Sequence, residues 1–159
     1  MDITELISQH ILAVHLGGNW TESAIADMLE DGDYHEATRV TPASVNTIAA
    51  LLHHLTVWNR VMKKRINGID EQLSELNGFD VPLIETEADW QTLKADNLKS
   101  AHELTLAIKT FDNNRLELPI LPSYASGYKN LQGTSEHIHY HLGQIVILKQ
   151  LIRSEKGTG

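Results

Sequence analysis

The chain has 159 residues, 42% of them hydrophobic, which is enough to bury one substantial core and too little to need two domains, so one domain spanning 1–159 is expected. Its 13 Lys+Arg against 21 Asp+Glu give a formal net charge of -8, the wrong sign for neutralising phosphates over a broad basic face, and nucleic acid is therefore not an expected partner. With no cysteine there are no disulfides, no Cys-type zinc ribbon and no cysteine nucleophile, and any metal site must be built from histidine, carboxylate and water.

The opening stretch carries Asp2 and Glu5 and has neither a basic leader nor an uninterrupted apolar run. Neither a secretory signal nor a membrane span is expected, and the cytoplasm is the expected location. Apolar residues then recur at three and four positions over long stretches, the period of amphipathic helices, and no stretch alternates well enough for a sheet. The spacing predicts an all-α chain.

A first long helix is expected over Asp2 to Leu16, with Ile3, Leu6, Ile7, Ile11 and Val14 on its apolar stripe and Gly17-Gly18 as its stop. Thr21 is a candidate cap for a short helical segment from Glu22 to Glu30, ended by the polar turn Asp31-Gly32-Asp33. One further short turn and a connection reach Pro42. A second long helix should start at Ser44 and run through Leu51, Leu55, Trp58 and Met62 to Ile66, where Asn67-Gly68 stops it. The third has its start written as Thr86-Glu87-Ala88-Asp89, a capping box with Asp in place of Glu, and continues to about Thr110 before Asp112-Asn113-Asn114. The connection from Arg115 to Gly133 holds Pro119, Pro122, Gly127 and Gly133, so it reads as irregular and laid over one end of the helices. A fourth helix should run from Thr134 to Ser154, and the tail from Lys156 to Gly159 should fray.

Nine histidines stand in the chain, and their positions matter more than their number. His137 and His141 lie four apart on the fourth helix and so project from one face, one turn apart, whereas His139 is turned away from His137 by about 200°. On the second helix the stripe Leu51, Leu55, Trp58, Met62 takes in His54 and leaves His53 at its margin; His53 is the alternative if the register slips by one. Read from spacing alone, these are either packed core histidines or three imidazoles offered to one ion. As ligands they would suit a divalent transition metal, zinc or nickel first, with iron or copper also compatible, and would leave a coordination position open.

Glu136-His137-Ile138-His139-Tyr140-His141-Leu142-Gly143-Gln144-Ile145 resembles the closing-helix motif of DinB/YfiT-like proteins, in which H-x-x-x-H is followed by x-G-Q-I. Ile48 to Trp58 resembles that family's first metal-histidine helix and places its ligand at His54, and Gly18-Asn19-Trp20-Thr21 fits the approach between the first two helices. The resemblance spans nearly the whole chain in order and is most specific over Tyr140 to Ile145. It implies a four-helix bundle with a short extra helical segment between helices 1 and 2, a three-histidine metal site at one end, and a homodimer. It further implies a metalloenzyme acting on a small-molecule substrate, several members being transferases or isomerases that use bacillithiol, mycothiol or glutathione.

Around the histidines, Gln144 shares the face of His137 and reads either as a packing glutamine or as a hydrogen-bond partner of a bound water or a ligand imidazole. Tyr140 reads as a core or interface aromatic with its hydroxyl at the rim or near a bound small molecule, and Trp58 as an apolar wall. His10, His15, His35 and His102 read as solvated or partly buried, Glu136 as a surface acid, and no general base stands out. The function classes carried forward are a low-molecular-weight-thiol S-transferase, a metal-dependent hydrolase, and a non-catalytic dimeric bundle that binds a metal or small molecule.

Overall fold

A computed structural model describes residues 2–157, so the last two residues of the expected frayed tail lie outside the described part. Six α-helices form in the order α1 (Ile3–Leu16), α2 (Ile25–Leu29), α3 (Tyr34–Ala37), α4 (Ile48–Ile66), α5 (Glu87–Lys109) and α6 (Gly127–Lys156), with a 3-10 turn at Asn113–Arg115. No strand occurs among the described residues, only two isolated bridges, Thr41 to Ser44 and Pro119 to Ser126. None of the helices is long and apolar enough to cross a membrane.

The four long helices pack side by side, α1 against α5, α5 against α4, α4 against α6, and α6 back against α1. One hydrophobic cluster joins them, with Ile11, Leu52, Leu55, Leu104, Ile108, Ile138 and Ile145 buried at its centre. Truncating a leucine buried this completely, such as Leu55, costs about 2–5 kcal/mol in comparable cores. Between α4 and α5 the core holds polar pairs: Asn97 Nδ2 donates to Thr56 Oγ1 (3.1 Å) and Asn59 Nδ2 to Ser100 Oγ (3.0 Å). Because an unmet buried amide is costly, these pairs fix the sliding register of the helix that carries His54.

Several expected boundaries move, each for a local reason. Thr47, not Ser44, caps α4, accepting from the Ala50 N–H at 3.1 Å, while Ser44 turns to Asn46 N and Val45 is left in solvent. Thr21 does not cap α2, because Asn19 Oδ1 already accepts from both its backbone N–H and its hydroxyl; the helix starts at Ile25. On α1, Ile3 and Leu6 are exposed, and the buried stripe is Thr4, Ile7, Ser8, Ile11, Val14 and His15. The expected capping box at Thr86 and Asp89 is present.

The largest correction is α6, which begins at Gly127, two turns before Thr134, capped by Ser126. Glycine at 133 lowers helix propensity by about 1 kcal/mol, but burial of Leu131 and Thr134 on the inner face outweighs it. Gly127 itself is required by close approach, since a Cβ there would meet the Phe111 ring at 2.9 Å and the Arg115 carbonyl oxygen at 3.0 Å. The irregular connection is therefore shorter than expected. At the far end of α6, Arg153 pairs with Asp31 (2.9 Å) and Glu36 (2.8 Å), and Lys149 with Asp31, which pins the α2–α3 segment across the helix.

Candidate metal centre

Two helices bring the three histidines together. His54 lies on the buried face of α4, and His137 and His141 lie one turn apart on the face of α6 packed against it. His137 Nε2 stands 3.0 Å from His54 Nε2 and 3.1 Å from His141 Nε2, and the ligand atoms of all three fall within 4.8 Å of one another. They are the one such group among the described residues. A tetrahedral ion with metal–nitrogen bonds near 2.0–2.1 Å separates neighbouring donors by about 3.3 Å, so the spacing fits.

The proton positions support the same fit. His54 Nδ1 faces the Asn77 carbonyl oxygen at 2.6 Å, an atom that only accepts, so Nδ1 carries the proton and Nε2 presents a lone pair. His141 Nδ1 likewise donates to Gln144 Oε1 at 2.6 Å. Two lone pairs thus point at His137 Nε2 from opposite helices, an arrangement that a cation satisfies and that packing alone does not require. Burial holds all three imidazoles below the ordinary value of 6.5, His54 and His137 down to about 4, with the neighbouring imidazoles adding to the effect at both; the Asn77 bond at His54 opposes it. Neutral imidazole, the form that binds a metal, persists in mildly acidic solution.

The loop between α4 and α5 closes over the histidines of α4. Asn77 and Gly78 both have positive φ, 51° and 79°, in a turn closed by Asn77 N–H to Ser74 O and Phe79 N–H to Leu76 O. That turn aims two successive carbonyls at α4: the Asn77 oxygen accepts from His54, and the Gly78 oxygen from His53 Nδ1 at 2.8 Å. Phe79 follows and stacks on the His54 ring, centroids 4.0 Å apart and 6° from parallel. Trp58 meets His54 and His137 edge-on, at 6.3 and 5.7 Å.

No family model, curated protein or solved structure matches this chain.

Beside His137 opens a cleft of ≈ 280 Å³ lined by Trp58, Met62, Arg65, Lys129 and the first turns of α6 up to Thr134. From the Arg115 to Gly133 stretch its wall takes Ala125 at the end of the loop and Lys129, Asn130 and Gly133, which belong to α6. Gln144 bonds the His141 imidazole, the candidate ligand on its face, and Tyr140 is exposed with its ring edge-on to His141 at 5.0 Å. Tyr140 and Gln144 line a different hollow, on the outer side of α6 with Ser44 and Ile147. His53 stays beside the cluster without joining it. His139 turns away as expected and stacks on His10 of α1. His15 departs from expectation: it is buried, because position 15 continues the Ser8 and Ile11 face, and its Nδ1 donates to the Ile11 carbonyl oxygen at 3.0 Å.

Sequence reasoning missed Asn77, Phe79 and Arg65. The dipeptide Asn77-Gly78 is a recognisable turn signal. Nothing local says that the turn folds onto His54.

Proposed function

We propose that this chain is a metal-dependent enzyme of the DinB/YfiT-like type, a four-helix bundle in which His54, His137 and His141 hold one divalent transition metal, zinc or nickel. The convergence of three Nε2 atoms, two of them with their Nδ1 protons tied to oxygen acceptors, carries the proposal. Bound there, such an ion would lower the pKa of a thiol or water and present it as a nucleophile. The protein's own residues set the conditions: Asn77 and Gln144 orient two imidazoles, and Phe79 and Trp58 shield them from water. The cleft lining includes no carboxylate to act as a general base, which favours a nucleophile whose proton leaves readily, a low-molecular-weight thiol over water. Having no cysteine, the chain must take that sulfur from a co-substrate.

Metal analysis of protein made without a histidine tag tests the centre: about one ion per chain is expected, and His54→Ala or His141→Ala should lose it. Absence of metal, with none taken up from zinc or nickel solutions, would sink the proposal. Activity is tested with bacillithiol, glutathione, coenzyme A and cysteine against a model electrophile, and equal rates in the parent and both variants would rule out metal-dependent thiol transfer for that panel. A metal-dependent esterase or amidase signal in a parallel screen would replace transfer by hydrolysis. A homodimer is part of the same proposal; exposed Tyr140, Ile147 and Leu151, at spacings of seven and four on α6, offer a stripe for symmetric pairing.

A further inference from the structure

Three cations occupy the last turn of α4, and two of them are neutralised. Lys63 pairs with Glu103 at 2.9 Å and Lys64 with Glu71 at 2.6 Å, whereas Arg65 has no carboxylate partner among the described residues. Its Nε is buried with no hydrogen-bond partner, and its Nη1 has only the weak acceptor Met62 Sδ, at 4.0 Å. A guanidinium is all donor, and one with no carboxylate beside it keeps its Nη donors for an acceptor in the cleft, while the enclosed Nε holds its plane and would report such binding without touching the ligand.

The surroundings hold Arg65 in place without neutralising it. Its guanidinium carbon lies 5.3 Å from the Trp58 ring centroid and 4.7 Å from that of Tyr124. Both rings are themselves tethered, Trp58 Nε1 to Asn77 Oδ1 at 3.2 Å and the Tyr124 hydroxyl to Asp70 Oδ1 at 2.7 Å. Asp70 is taken up by Tyr124 and by Gln72 Nε2 and makes no ion pair with Arg65. Arg65 lines the cleft that also contains Lys129 and His137, and no acid lines it.

We propose that this cleft binds a small molecule by a carboxylate seated on Arg65, with Lys129 adding charge and the rest of the molecule lying along Met62 and Trp58 toward His137. A planar carboxylate takes the guanidinium fork bidentately and needs less room between two flanking rings than a tetrahedral phosphate does. The volume, ≈ 280 Å³, falls just below the roughly 300–1,000 Å³ of drug-sized small-molecule sites, which suits a short carboxylic acid. The direction toward the metal centre rests on the function proposed above; the carboxylate seat rests on Arg65 and the cleft.

The test follows the side-chain Nε–H of Arg65 and the indole N–H of Trp58 by nitrogen–proton NMR during titration with succinate, succinamide or inorganic phosphate. It uses the full chain, both after dialysis against a chelator and after zinc loading. Succinate should shift both signals saturably in both forms and succinamide should not; in Arg65→Gln, where only the Trp58 indole N–H remains to be followed, its response should weaken by about tenfold or more, the scale of a lost charge-assisted hydrogen bond. Arg65→Lys, which keeps the charge and loses the fork, should fall between them. An equal response to succinamide, tighter binding of phosphate, an undiminished response in both Arg65 variants, or a response seen only with zinc present would each overturn the proposal. Zinc uptake measured on the same samples separates the two readings: uptake without a succinate response overturns only the carboxylate seat, and a succinate response without uptake overturns only the metal centre.

Discussion

Gly78→Ala should damage the histidine cluster from outside it. Gly78 has φ +79°, a left-handed conformation that costs an L-residue about 1–2 kcal/mol. A Cβ built there would sit 3.0 Å from Val57 Cβ and 3.1 and 3.3 Å from its two methyls, on the α4 turn that follows His53 and His54. Overpacking of that kind costs about 1–3 kcal/mol, so a total loss of about 2–5 kcal/mol is expected, roughly 4–20 °C in melting temperature for a chain of this size. Because the same turn delivers the Asn77 carbonyl to His54 Nδ1, metal affinity should drop roughly 10–100-fold, the usual effect of removing a hydrogen bond that orients a ligand. Thermal unfolding and competitive zinc titration read the two effects. Adding Val57→Ala should restore the packing part of the loss and leave the backbone part. Asn77→Gly, which keeps the carbonyl and the left-handed backbone, should hold an affinity close to the parent's. If Gly78→Ala matches the parent in both measurements, or Val57→Ala restores nothing, the turn does not position His54 in the way described.

The metal-free protein should lose stability as pH falls from 6.5 toward about 4: His54 and His137 stay neutral there while the unfolded chain protonates its histidines, so the unfolded state binds more protons and stability rises with pH. Denaturant unfolding at pH 7 and pH 4.5 checks this, with His54→Ala and His137→Ala expected to flatten the slope. Gln144→Leu removes the acceptor of the His141 Nδ1 proton and should lower zinc affinity roughly 10–100-fold while leaving the helical circular dichroism unchanged; unaltered affinity would show that Gln144 does not orient the ligand. Light scattering should show a dimer for the parent and a monomer for Ile147→Glu, and a parent that is monomeric across a wide concentration range would remove the α6 pairing.

Much of this protein was legible along the chain because helices report themselves locally. The three- and four-residue apolar period marked α1, α4 and α5, the Thr86 to Asp89 box marked a start, and Asn67-Gly68 marked a stop, each through interactions confined to a turn or two. The pair His137 and His141 is of the same kind, since helical geometry alone puts them on one face. Where local signals competed, position failed: Gly133 argued for a late start to α6, and Thr21 looked like a free cap although Asn19 had claimed it. What no local rule contains is the meeting of α4 with α6, because it depends on how buried area is shared among four helices, and that meeting alone places His54 Nε2 3.0 Å from His137 Nε2. The Asn77 carbonyl on His54, Phe79 stacked beside it, and an arginine Nε enclosed without an acceptor are likewise long-range consequences of packing, so the tertiary structure alone decided them.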